Sequence, residues 1–190
     1  MTDGADAHKS SEPPTGLELT WAHALELDQE NDLKGARALY EQVVEGKTSQ
    51  LGASDLSTLA AKLKLGIVLD KLGLEDEGRE LCREVIAGRT AALGPEHAET
   101  VTAKLSLAIL LRWTVTNVSL QNVKGDVDVV ARAESRRLYE EIVADRTKAL
   151  GPRHFLTLSA KAELADVVYC CFYEPTPSPC ARLSLYTASS

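Results

Sequence analysis

The sequence predicts an all-α protein, a right-handed α-solenoid of tandem helical hairpins. Three observations support this prediction. The chain of 190 residues is 44% hydrophobic but only 5% aromatic. Helix-ending Leu-Gly steps recur along it, and the segments between them repeat with helical spacing. With a repeat length of 42 residues, residues 17–173 form about three and a half hairpins.

Glycine and proline mark where the helices end. Between the terminal segments the only prolines are Pro95 and Pro152, and each follows Leu-Gly. Glycine just after a helix and proline just beyond it end the helix, because glycine accepts a positive φ and proline cannot continue the hydrogen-bond ladder. A third copy of the step, at Gly52, lacks the proline. Gly52, Gly94 and Gly151 are 42 and 57 residues apart, so the third unit contains 15 extra residues.

Two helical segments recur in each unit. The first-helix segments lie at 61–66, 103–108 and 160–165, and the second-helix segments at 38–43, 80–85 and 137–142. Apolar residues at three- and four-residue steps predict amphipathic helices. A small residue in each first helix, Gly66, Ala108 or Ala165, lets the neighbouring helix approach closely. A lone hairpin cannot bury such a stripe, whereas a stack of hairpins can.

The expected organisation is a disordered leader at 1–16, a solenoid at 17–173 and a disordered tail at 174–190. The units lie at about 17–53, 54–95 and 96–152, with a half unit at 153–173. The extra residues of the third unit lie near 114–128; they are rich in β-branched types without a helical period, which predicts an irregular loop or short hairpin. The half unit lacks a second helix, so either the chain is a piece of a longer array or its last helix is an association surface.

The recurring unit resembles the tetratricopeptide repeat (TPR) of kinesin light chains and related proteins. The resemblance rests on the 42-residue two-helix unit, on Leu138-Tyr139-Glu140-Glu141-Ile142 and on the Leu-Gly-Pro-x-His closure at 150–154, and it covers roughly residues 17–173. It implies a concave groove, lined by first helices, that binds peptide segments or helices of partner proteins, and a cargo or adaptor role with a motor or cytoskeletal partner. The Asn-Leu-Ala usual in that family is replaced in every copy, by Lys64, Ser106 and Glu163 at the asparagine position, so no known cargo specificity is carried over.

Helical angles place the groove residues on the side of the first helices away from Gly66. Trp113 is the expected aromatic anchor, and Lys64 and Lys71 are expected to meet acidic residues of a bound segment. A solvated face without a ligand fits the same residues. The groove candidates are Lys64, Ile67, Lys71, Ser106, Ile109, Trp113, Glu163 and Asp166.

Two columns of cations also recur in register. The first-helix lysines are expected to cover apolar surface with their stems and keep their amines in water, with an anion or acidic-peptide site as the alternative. The cations near the ends of the second helices are expected to complement the helix dipole. The first column is Lys62, Lys104 and Lys161; the second is Lys47, Arg89 and Arg146.

The sequence contains no motif for catalysis, metal binding or cofactor binding. HExxH, GxSxG and P-loop patterns are absent, and the four cysteines contain no CxxC pair. His97 and His154 follow Leu-Gly-Pro in consecutive units, which indicates a turn role, and Cys82 aligns with Tyr40 and Tyr139 at a packing position. We therefore expect a non-enzymatic scaffold without metal or cofactor. The alternative is a structural assembly or oligomerisation module that uses the uncovered C-terminal helix.

The charge balance excludes two classes of partner. With 28 acidic and 21 basic residues the net charge is −7, whereas nucleic acids and anionic bilayers require surplus Lys and Arg. The apolar runs fall short of the about 20 residues needed to span a bilayer, and the first sixteen residues lack the apolar core of a signal peptide. The sequence therefore predicts a cytoplasmic protein with protein or peptide ligands, short acidic segments among them, and leaves self-association open.

Overall fold

The computed structural model describes the backbone of residues 16–119 and 125–172, and the side chains of residues 16–112 and 130–169. Every element within these ranges is an α-helix, as the sequence predicts. The expected tail and all of the expected leader except Gly16, which begins the first helix, lie outside them. The helices are α1 (Gly16–Gln29), α2 (Leu33–Leu51), α3 (Leu56–Lys71), α4 (Glu75–Leu93), α5 (Ala98–Ser119), α6 (Gly125–Leu150) and α7 (Phe155–Phe172).

The helices pack as a stack of hairpins. Helices α1 and α2, α3 and α4, and α5 and α6 form three hairpins, each of which contacts the next through its second helix. Helix α7 packs on α6, and α3 also contacts α5 directly. Because each helix touches mainly its neighbours in sequence, the fold is a helical repeat array rather than a layer structure around one centre.

The Leu-Gly steps end α2, α4 and α6, as predicted. Gly52, Gly94 and Gly151 have φ values of 93°, 90° and 91°, which a residue with a Cβ rarely adopts. The N–H of each glycine donates to the carbonyl four residues earlier at 3.0 Å, so the last turn of the helix is closed. The glycine therefore both completes and terminates the second helix of its unit.

The histidines that follow these steps begin the next first helix. His97 Nδ1 accepts a hydrogen bond from the Glu99 N–H at 3.3 Å, and His154 Nδ1 accepts one from the Leu156 N–H at 3.2 Å. Asp55 occupies the same place before α3, where its carboxylate accepts from the Ser57 N–H at 2.8 Å. The predicted turn role of the two histidines is confirmed.

The apolar interior is divided into three clusters along the stack. One surrounds Tyr40 between α1 and α4, the next surrounds Cys82 between α3 and α6, and the third surrounds Tyr139 between α5 and α7. All three of these side chains are fully buried, as their alignment in sequence predicts. Burial also raises the pKa of the Cys82 thiol to about 11, so the thiol stays protonated.

Helices α3 and α4 approach so closely that glycine is required at their crossing. A Cβ on Gly78 would lie 2.5 Å from the Gly66 carbonyl oxygen. In the next hairpin the same place holds Ser135, whose hydroxyl donates to the Ala108 carbonyl at 3.0 Å. The small-residue contact predicted for the first helices is therefore confirmed at Gly66 of α3 and Ala108 of α5, and it is tightest in the middle hairpin.

The prediction of a loop or short hairpin near 114–128 is wrong for residues 114–119 and 125–128. Residues 114–119 continue α5 and residues 125–128 begin α6, while 120–124 lie outside the described residues. β-Branched residues cost at most about 0.7 kcal/mol each in a helix relative to alanine. Extending a helix that already exists adds a hydrogen bond without a new nucleation cost. Residues 114–119 and 125–128 therefore lengthen two helices.

The cations of the second helices tie consecutive hairpins together. Lys47 Nζ donates to the Ser57 hydroxyl at 2.5 Å, and Arg89 Nη1 donates to the Glu99 carbonyl at 2.9 Å. Arg146 Nη1 likewise donates to the carbonyl of Leu156, ten positions later, at 2.9 Å. These cations do have a structural role. Their contact, however, is with the first turn of the next helix, not with the end of their own helix as expected.

Candidate protein-binding surface

The predicted groove residues lie on three successive first helices. Helix α3 contacts α5 directly, and a side-chain ion pair joins α5 to α7. We call the surface formed by these residues the first-helix wall. It consists of Lys64, Ile67 and Lys71 on α3, Ser106, Ile109 and Trp113 on α5, and Glu163 and Asp166 on α7.

Two of the charged wall residues are paired within the chain. Lys71 Nζ lies 2.8 Å from Asp28 Oδ1, which links α3 to α1. Arg112 Nη1 lies 2.6 Å from Glu163 Oε2, which links α5 to α7. Sequence reasoning missed Asp28 and Arg112. The partners are 43 and 51 positions apart in sequence. Because the two separations differ, a fixed repeat spacing does not predict these pairs.

Some of the remaining wall residues contact other parts of the chain, and others are exposed to solvent. Ile67 packs partly against the central apolar cluster, and the Ser106 hydroxyl donates to the Thr102 carbonyl of its own helix at 3.1 Å. Ile109 is 43% exposed, Lys64 is half-buried and Asp166 is exposed. The backbone of Trp113 belongs to α5, but its side chain lies outside the described residues.

Two lysines of the first column, Lys62 and Lys104, join the two helices of their own hairpins instead of binding an external anion. Lys62 Nζ lies 2.5 Å from Glu84 Oε1 of α4. Lys104 Nζ lies 2.7 Å from Asp145 Oδ2 and 3.3 Å from Glu141 Oε2 of α6. Burial by itself would lower the pKa of Lys104, but these two carboxylates raise it above its usual value, so the amine remains charged. The expectation of amines in water is wrong for Lys62 and Lys104, because both lysines are buried.

A second buried polar contact lies inside the middle hairpin. Arg79 Nε of α4 lies 3.7 Å from Asp70 Oδ1 of α3, and Arg79 Nη2 donates to Glu75 at 2.6 Å. Burial raises the pKa of Asp70 to about 6, although the charge of Arg79 opposes the shift. Arg79 and Glu75 both lie on α4, which packs against α3. We therefore assign Asp70 to the interior of the hairpin and not to a binding site.

No three His, Cys, Asp or Glu side chains in the described part of the chain come together in a group that could hold a metal ion. No described helix has the length and apolar character needed to cross a membrane.

Residues 58–99, which span α3, α4 and the start of α5, match the family model described as a tetratricopeptide repeat. The chain contains a tetratricopeptide repeat. The repeat type and the stacked helical hairpins place it in the general class of protein-interaction scaffolds.

Two solved structures contain repeats of similar type. Both are of a protein from Podospora anserina described as a kinesin light chain with nearly identical TPR-like repeats, and one of them carries a single glutamine-to-methionine substitution. Each is 21% identical to this chain, with a TM-score of 0.46. The matches cover 84% of this chain, 88% of the substituted form and 89% of the other. No curated protein sequence matches the chain.

Proposed function

We propose that the chain is a non-catalytic scaffold that holds a peptide segment or helix of a partner protein against the first-helix wall, in the manner of a kinesin light chain-like cargo or adaptor module. The observation that supports this proposal is the exposed side chain of Ile109 on α5. It lies on the helix between α3, which offers Lys64, and α7, which offers Asp166. An apolar group flanked by a cation and an anion suits a short segment of mixed character.

The wall needs little rearrangement to bind such a segment. The ion pairs of Lys71 with Asp28 and of Arg112 with Glu163 hold consecutive first helices together before any ligand arrives. Binding to a preformed surface avoids much of the ordering cost of association. In this arrangement an acidic end of the ligand turns towards Lys64, because Lys71 is already neutralised by Asp28. Electrostatic complementarity then sets the direction of the segment more than its affinity.

A pull-down from cell extract tests the wall directly. The test protein carries Lys64→Ala, Ile109→Ala and Trp113→Ala, and the matched control carries Glu77→Ala and Arg137→Ala, on second-helix positions exposed to solvent. We expect the control to retain the partners of the wild type and the wall variant to lose them. Both variants should melt close to the wild type. An unchanged set of partners with the folded wall variant would contradict the proposal.

The second candidate function is a structural assembly or oligomerisation module. It is favoured by the large apolar side chains that α7 exposes, Phe155, Leu158 and Tyr169 among them. Size-exclusion chromatography with light scattering tests it. A protein that stays monomeric at micromolar concentration would count against oligomerisation.

A further inference from the structure

Helix α7 exposes the face that the other first helices bury. In α3, Leu59 is 1% exposed, and Leu63 and Gly66 are buried. Their counterparts in α7 are uncovered, with Leu158 51% exposed. The covering element in α3 is α4, the second helix of the same hairpin. We call the uncovered surface the α7 face, defined by Leu158, Lys161, Ala162 and Ala165.

The charge on this face shows what its occupant must carry. Lys161 stands in register with Lys62 and Lys104, whose amines pair with carboxylates on the second helix of their own hairpin. In the described part of the chain, no carboxylate lies within ion-pair distance of Lys161 Nζ. Its polar contact there is the Pro152 carbonyl at 3.5 Å. The lysine is therefore placed to receive an acidic residue from a covering helix.

We propose that the α7 face binds an amphipathic helix of another protein that carries a carboxylate for Lys161. Helix α4 provides the pattern for such a ligand: Glu84 meets the lysine of α3, while Cys82 and Val85 enter the apolar interior. The small side chains of Ala162 and Ala165 leave room for the same close approach. This docking site is separate from the first-helix wall and uses none of its residues.

The chain's own segments fit this site less well. In a second copy, the second helices α2, α4 and α6 are already packed against first helices. Residues 174–190 contain one acidic residue, Glu174, followed by prolines at 175, 177 and 179, which a helix interior does not tolerate. The face and the charge together fit an acidic amphipathic helix, which neither these packed helices nor residues 174–190 supply.

A charge-reversal experiment tests this assignment. The probe is a fluorescein-labelled peptide of residues 75–93, and binding to the full chain is followed by fluorescence anisotropy. We expect saturable binding that Lys161→Glu weakens about 3- to 10-fold, in line with the loss of one exposed ion pair and its replacement by a like charge. The Glu84→Lys peptide should reverse this order and prefer the Lys161→Glu protein. The control Lys34→Glu, at an exposed position of α2 outside both proposed surfaces, should leave the affinity of the original peptide unchanged.

Three results would overturn the proposal. One is the absence of saturable binding up to about 1 mM peptide, the weak end of measurable affinity. Another is equal affinity of the peptide for the wild type and the Lys161→Glu protein, which would place the peptide elsewhere on the chain. The third is a wild-type dimer in light scattering that Lys161→Glu converts to a monomer, because the occupant would then be a second copy. Since Lys161 is exposed, Lys161→Glu should keep the wild-type melting temperature, and circular dichroism checks this.

Discussion

Replacing Gly78 with alanine should destabilise the hairpin of α3 and α4, although alanine is the better helix former. The new Cβ would lie 2.5 Å from the Gly66 carbonyl oxygen and 3.0 Å from the Asp70 amide nitrogen, where an ordinary contact begins at 3.4 Å. Both obstacles are backbone atoms of α3, so no side chain can rotate out of the way. The two helices would have to separate by about 1 Å, which loosens the packing on either side of the crossing.

The size of the effect follows from two opposing contributions. Alanine in place of glycine inside a helix stabilises by about 0.8–1.0 kcal/mol. Overpacking costs about 1–3 kcal/mol, and we expect the upper end because the clash is between backbones. The net loss is about 2 kcal/mol, which for a chain of this length corresponds to a decrease in melting temperature of about 4–8 °C.

Gly88→Ala is the matched control, because it makes the same change in the same helix. Its Cβ would lie 2.9 Å from a terminal methyl carbon of the buried Leu59 side chain. The shift of that side chain offsets the gain of about 0.8–1.0 kcal/mol in helix propensity, so we expect a stability within about 0.5 kcal/mol of the wild type. Thermal and urea unfolding followed by circular dichroism at 222 nm compare the variants. A Gly78→Ala protein as stable as the Gly88→Ala protein would refute the close approach of α3 and α4.

Three further predictions compare equivalent positions or conditions. Thr100→Val should lower the free energy of unfolding in urea by about 1–2 kcal/mol, because the Thr100 hydroxyl donates to the Gly94 carbonyl at 2.9 Å. Thr58→Val should cost little, because the Thr58 hydroxyl makes no hydrogen bond. Equal losses would contradict this difference in hydrogen bonding. Lys104→Met should cost about 1–3 kcal/mol by leaving two carboxylates without their cation, and Lys161→Met on the exposed face should cost less than about 0.5 kcal/mol. The folded-state pKa of Asp70, raised to about 6 mainly by burial, gives stability that is present below pH 4 and lost as the pH rises through 6. Asp70→Asn should therefore match the wild type below pH 4 and exceed it by about 2–3 kcal/mol at pH 7. Urea unfolding at both pH values measures this, and a constant difference would contradict it.

The sequence placed the wall residues on the correct helices but did not reveal their electrostatic state. Helical spacing is sufficient to assign Lys64, Ile109 and Asp166 to three first helices, because residues on one face follow from the 3.6-residue turn. Whether Lys71 is available to a ligand depends instead on how far α1 lies from α3. That distance is set by packing, and it brings Asp28 within 2.8 Å of the amine.

The sequence by itself determined the all-α class, the second-helix ends at Gly52, Gly94 and Gly151, the turn role of the two histidines and the equivalence of Cys82 with two tyrosines. These features depend on local rules, namely helical period, glycine with positive φ and side chains that bond the backbone two residues away. Only the tertiary structure decided that residues 114–119 extend α5, that residues 125–128 begin α6, and that Lys62 and Lys104 are buried ion-pair partners. Each of these depends on contacts between helices, and a contact between distant segments is set by the packing of the whole stack, which no local pattern encodes.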